Sequence, residues 1–136
     1  MKKRVFVVDD EQIIADTLTA ILNVNGYEAR PFYDAESVLL ACAMGCPDCI
    51  ISDVVMPHLS GVEMAVQVRK DFPACKVILF SGQEATADML EAAGRQGYEF
   101  EVLLKPVHPR DLLAKLEMSR PCGVSQEVEA LSRMRT

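Results

Sequence analysis

Short apolar runs without polar interruptions, VFVV, CII, VILF and VLL, recur along this chain, separated by longer stretches of helical character. A strand with one face in water alternates apolar and polar residues, whereas a strand covered on both faces reads as a continuous apolar run. The runs therefore predict strands over Arg4–Val8, Cys49–Ser52, Lys76–Phe80 and Phe100–Leu104 in a parallel sheet. Glu28–Phe32 supplies a further strand between the first two in sequence.

The intervening stretches carry helix starts and stops. Ile14, Leu18, Ile21 and Leu22 fall at helical spacing and form one apolar stripe, which Asn25-Gly26 ends. Asp34 can cap the second helix, and Ser60-Gly-Val-Glu63 reads as a capping box opening a third that runs to about Asp71. A fourth spans roughly 85 to 93, closed by Gly94 and Gly97. The fifth starts at Pro109, a tolerated first-turn position, and stops before Pro121. Strands and helices alternating on short loops make a doubly wound α/β domain, with right-handed crossovers that cover both faces of the sheet.

Ligand sites in such sheets lie beyond the carboxyl ends of the strands. There the chain places Asp9, Asp10 and Glu11 after the first strand, Asp53 after the third, Ser81 after the fourth and Lys105-Pro106 after the fifth. Carboxylates gathered at one edge disfavour each other's ionisation unless a cation offsets them. Oxygen ligands with room for water and phosphate suit Mg²⁺. A carboxylate in such a site can attack phosphorus and form an acyl phosphate. A lysine ammonium and a serine hydroxyl can stabilise the oxygens of the transferred group. Spacing alone points to a phosphate-handling Mg²⁺ site and leaves open which aspartate is the nucleophile.

The segments VFVVDDEQ, ISDVVMPHLSG, ILFSG and LLKP, in this order over residues 4 to 118, resemble the CheY-like receiver domains of two-component response regulators. The resemblance implies a flavodoxin-like (βα)5 fold, a five-stranded parallel sheet in the order 2-1-3-4-5. It implies that Asp53 accepts a phosphoryl group from a histidine kinase or a histidine phosphotransfer protein. Asp10 is then a direct Mg²⁺ ligand, Asp9 assists, and Asp53 and the main-chain carbonyl of Val55 complete the protein ligands. Ser81 and Lys105 bind the phosphoryl oxygens, and the Lys105-Pro106 bond is expected to be cis. Output passes by protein contact through the fourth helix, fifth strand and fifth helix. The chemistry is that of a signalling receiver, self-phosphorylation from phosphodonors and autodephosphorylation, rather than of a dedicated enzyme. Two positions depart from the family pattern. Val102 stands three residues before Lys105, where Tyr or Phe is usual, and Gly82 follows Ser81, where alanine is frequent.

Composition narrows the alternatives. A net charge of −6 on 136 residues argues against a nucleic-acid surface, which needs clustered Lys and Arg. No apolar run nears the roughly 18 residues that span a bilayer, and MKKRVFVVDDEQ is too short in apolar residues for a signal peptide. A cytoplasmic protein with reduced thiols is the expectation. The receiver is expected over residues 1–120, with 121–136 as a tail, possible as a short docking helix, that adds no output domain. Cys42, Cys46 and Cys49 have metal-ligand spacing, but they sit at the amino end of the third strand, away from the aspartates, and read as small packing groups. A haloacid dehalogenase-type hydrolase would want a DxD after the first strand, where this chain has Asp9-Asp10-Glu11. A degenerate receiver that binds partners without phosphate is the remaining alternative.

Overall fold

The computed structural model describes residues 2–56, 58–82, 86–105 and 108–118. The Lys105-Pro106 bond and the tail beyond residue 118 lie outside them. The elements alternate throughout: β1 (Arg4–Val8), α1 (Gln12–Val24), β2 (Glu28–Phe32), α2 (Ala35–Met44), β3 (Cys49–Asp53), α3 (Gly61–Asp71), β4 (Lys76–Ser81), α4 (Thr86–Arg95), β5 (Glu101–Leu104) and α5 (Pro109–Met118). The strands form one sheet in the order β2-β1-β3-β4-β5, every pair parallel. This is the flavodoxin-like topology expected from the resemblance.

Each apolar run feeds two core layers, because successive side chains of a strand point to opposite faces. Phe6, Val8, Ile50, Val77 and Leu79 face α2 and α3, where Val38, Met64 and Val68 meet them. Val5, Val7, Ile51, Ile78 and Phe80 face α1 and α5 and pack on Leu18, Leu22, Leu112 and Leu116. Polar residues on either face of these strands would have gone into one of the layers, which is why the runs are unbroken.

Among the described residues, helix ends follow the sequence signals with one exception. Asp34 Oδ1 accepts from the Ser37 amide at 2.6 Å, and Ser60 Oγ accepts from Glu63 N at 3.1 Å. His108 caps α5, its Nδ1 accepting from Arg110 N at 3.1 Å. The exception is Gly94, which was expected to close the fourth helix and instead lies inside α4. Glycine in a helix costs about 1 kcal/mol relative to alanine, and an Arg95–Glu91 pair at 3.0 Å spans this turn. The stop falls on Gly97, whose φ of 91° permits the turn in which Tyr98 N returns to Ala93 O at 2.9 Å. The fifth strand begins one residue later than expected, at Glu101.

Candidate functional site

Sheet register brings the strand-end residues together. Val8 pairs with Ser52, Asp53 with Phe80 and Ser81 with Leu104, so β1, β3, β4 and β5 end at nearly one level. The ladder continues past three of these ends: Asp9 N donates to Phe32 O at 3.0 Å, Val54 N to Phe80 O at 3.2 Å, and Lys105 N to Ser81 O at 2.9 Å. The backbone at Asp9, Asp53 and Lys105 is thereby fixed before any side-chain contact forms. These groups frame a polar cleft of about 330 Å³ lined by Asp10, Glu11, Asp53, Val55, Gly82 and Lys105. A comparable cleft between α3 and α4, about 320 Å³, is largely apolar with Glu63 as its one carboxylate and lacks such convergence.

Asp53 is also held from behind. Gly61, the first residue of α3, donates its amide to Val54 O at 2.8 Å. A Cβ on Gly61 would fall 2.9 Å from Asp53 C and 3.0 Å from Val54 Cα, and closer still to Asp53 O. The obstacles are main-chain atoms of β3 and the residue after it, so no side-chain rotation relieves them. Gly61→Ala is expected to destabilise the fold by about 3 kcal/mol, the upper range for overpacking, and to displace Asp53. Urea unfolding checks the first effect and the Mg²⁺ dependence of unfolding the second. Wild-type behaviour in both would show that α3 can shift without cost.

Asp9 and Asp53 are buried, Asp10 is exposed, and one oxygen from each lies within 4.8 Å of the others. Lys105 Nζ reaches 3.3 Å from Asp53 Oδ1 and 3.7 Å from Asp9 Oδ2. Burial pushes the Asp9 carboxyl from 3.8 up to about 6. The Glu11 amide, donating to Asp9 Oδ1 at 2.9 Å, and Lys105 oppose that rise, while Asp53 and a hydrogen bond with Asp10 add to it. Burial also raises Asp53, against the pull of Lys105 and of the Val55 amide that donates to it. Asp9 Oδ2 is buried without a hydrogen-bond partner. One ammonium thus faces three carboxylates, and a buried acceptor is left over. An oxygen-only set with a charge deficit of this kind fits a hard divalent cation.

The structure places Asp9, Asp10, Glu11, Asp53, Ser81 and Lys105 on this one edge; Pro106 lies outside the described residues. Asp9, Asp10, Asp53 and Lys105 meet directly. Ser81 is buried at the end of β4, and Val55 is 48% exposed on the cleft wall. Val102 pairs with Leu79, two residues short of Ser81. Phe100 shares its core layer but lies under Arg69, 5.3 Å from guanidinium carbon to ring centre, so it does not replace an aromatic at Val102. The aromatic that touches Lys105 is Phe80, with Nζ 5.1 Å from the ring centre, a contact the sequence reading missed.

The thiols of the described residues lie at the opposite end of the sheet. Cys42, Cys46 and Cys75 share the α2/α3 core layer, while Cys49 belongs to the other layer. Burial pushes Cys42 and Cys49 up to about 12 and raises Cys75 as well. Among the described residues no three sulfurs converge as the aspartates do. Protonated, buried thiols are packing groups rather than ligands. Cys75 had not been singled out in the sequence, because nothing in its spacing links it to Cys42 or Cys46.

Comparison with known proteins bears on the family and the fold. A family model described as the response regulator receiver domain matches residues 5–117. The DNA-binding response regulator MtrA of Mycolicibacterium smegmatis is 24% identical over 132 residues, covering 97% of this chain and 57% of MtrA. The response regulator MprA of Mycobacterium bovis is 28% identical over 116 residues, covering 85% of this chain and 50% of MprA. The chain therefore spans about half the length of the curated relatives it matches. Among solved structures, a CheY-like receiver domain protein from Methanospirillum hungatei superposes with a TM-score of 0.77 at 28% identity, covering 87% of this chain and 93% of the other.

Proposed function

Because the chain belongs to the response regulator receiver domain family, we propose that it is a phosphorylation switch whose phosphoacceptor is Asp53. The donor is a histidine kinase or a histidine phosphotransfer protein, acting in the cytoplasm. The observation that carries this reading is the Asp53 carboxylate held at the end of β3, 3.3 Å from the Lys105 ammonium, with two further carboxylates around it.

Asp53 attacks phosphorus with a carboxylate oxygen, and the bond from phosphorus to the donor breaks as the acyl phosphate forms. Lys105 sits where the developing charge on the phosphoryl oxygens needs a cation, and the Ser81 hydroxyl donates to one of them. The Val55 amide, which donates to Asp53, keeps the carboxylate in line. Mg²⁺ would be held by Asp9, Asp10, Asp53 and the main-chain carbonyl of Val55, and when bound it supplies positive charge against the phosphoryl oxygens. The orphaned Asp9 Oδ2 supports that fit. Asp9 is fully enclosed and does not line the cleft, whereas Asp53 opens onto it. This favours Asp53 over the first-strand nucleophile of a haloacid dehalogenase-type hydrolase.

Output is assigned to the surface of α4, β5 and α5, where Leu104 is 78% exposed and Glu101 of β5 pairs with Lys115 of α5 at 3.9 Å. With Val102 in place of an aromatic, the phosphoryl group is sensed there through Ser81 and Lys105.

The test is intact mass after incubation with acetyl phosphate and Mg²⁺. The wild-type chain is expected to gain one alkali-labile phosphoryl group, and chelation of Mg²⁺ or Asp53→Ala to remove the gain. Equal labelling of wild type and Asp53→Ala would overturn the reading.

A further inference from the structure

Lys105 is held by more than its carboxylates. Its contacts to Asp53 (3.3 Å) and Asp9 (3.7 Å) are both longer than a charge-assisted hydrogen bond between ammonium and carboxylate, about 2.7–2.9 Å. Two loose anions on one side do not fix a flexible four-carbon side chain. Among the described residues a further contact is the ring of Phe80, with the ammonium 5.1 Å from its centre, inside the range of about 6 Å in which a ring face attracts a cation.

The ring is a fixed platform. Phe80 is fully buried in the layer shared with Ile51, Ile78 and Leu112, and its carbonyl accepts the Val54 amide. Register sets Phe80 directly beside Asp53 on one side and Leu103 on the other. The stem of Lys105 also passes close to Gly82. A Cβ there would stand 3.3 Å from Lys105 Cβ and 3.7 Å from its Cδ, so the lysine stem runs close along a position without a side chain. Glycine in place of the frequent alanine and phenylalanine before Ser81 thus act on the same side chain.

We propose that Phe80 is a positioning residue for Lys105, its ring face holding the ammonium beside Asp9 and Asp53 without adding charge to the site. A further carboxylate would hold the lysine as well, but it would compete with an incoming phosphoryl group and deepen the charge deficit. The ring attracts the cation whichever anion it faces. Lys105 can therefore turn from Asp53 oxygens to phosphoryl oxygens while keeping one constant partner. This role rests on the reading of Asp53 as phosphoacceptor, whereas the contact itself does not.

Two measurements separate the contact from the role. Protons above a ring face resonate upfield, so the Lys105 ε-methylene signals are expected upfield of those of the other lysines, and in Phe80→Leu among them. The second measurement replaces Phe80 with mono-, di- and trifluorophenylalanine, which keep the ring's shape and progressively withdraw its negative face. Phosphorylation by acetyl phosphate at saturating Mg²⁺ is expected to slow stepwise along the series, by roughly three- to tenfold in total, with thermal midpoints little changed. Ordinary ε-methylene shifts in the wild type would overturn the contact. Upfield shifts with rates indifferent to fluorine would overturn the positioning role. A wild-type chain that takes no phosphoryl group would overturn the phosphoacceptor reading, and the role with it, while the upfield shift would still register the contact.

Discussion

Asp53→Asn is expected to be inert to phosphodonors and more stable than the wild type. The amide keeps the shape of the carboxylate but has no anionic oxygen to attack phosphorus, so labelling should fall to background. Stability moves the other way because burial is the largest influence on Asp53 and opposes its ionised form. A neutral side chain there removes that cost and one of the repulsive charges facing Asp9. The loss to set against it is the Lys105 contact at 3.3 Å, and Lys105, 26% exposed, retains solvent and Asp9 as partners. A gain of about 1 kcal/mol is expected, the order seen when a functional site with stored repulsion is neutralised. Intact mass and thermal unfolding of the same preparation read both effects. Wild-type labelling of the variant would move the phosphoacceptor to another carboxylate, and a fall in stability would make the Asp53–Lys105 pair a net stabiliser.

Much of this edge was legible in the chain because its signals are local or periodic. The unbroken runs VFVV, CII, VILF and VLL can satisfy only a doubly covered strand, and a parallel sheet then carries the residues that follow them to one side. Asp34 and Ser60 announce their helices by side chains that cap within three residues. What escaped depended on distances between elements. Gly94 resembles a stop, but α4 runs through it to Arg95, and the positive φ that closes the turn falls on Gly97. Gly61 was read only as part of a capping box, and its close approach to the Asp53 backbone is a matter of how α3 meets β3. Phe80 appeared as one apolar residue of VILF. Its contact with Lys105 requires β4 and β5 in register and the lysine stem lying against Gly82.

Metal-free protein is expected to lose stability as pH rises from about 4 to about 6, and Mg²⁺ to restore it. Asp9 has a folded value of about 6 against 3.8 ordinarily. Between those values the native state binds the proton that the unfolded chain has released, so unfolding free energy falls with increasing pH. Below the window both states are protonated and the penalty vanishes; above it the penalty is complete, on the order of 2–3 kcal/mol for a shift of this size. Asp53, raised by the same burial, contributes with the same sign. Asp34, lowered by its bond to the Ser37 amide, contributes with the opposite sign, so the wild-type profile alone is a composite. Subtracting the profile of Asp9→Asn isolates the group, because the amide is neutral throughout. The cation binds the ionised carboxylates, so its stabilising increment should grow across the same window, and Asp9→Asn should shrink it at neutral pH. Urea unfolding in EDTA and in saturating Mg²⁺, for both proteins across this range, gives the four curves needed. If the wild-type and Asp9→Asn curves in EDTA run parallel, Asp9 ionises in the fold as easily as in the open chain. The charge deficit from which the cation site is argued would then not exist.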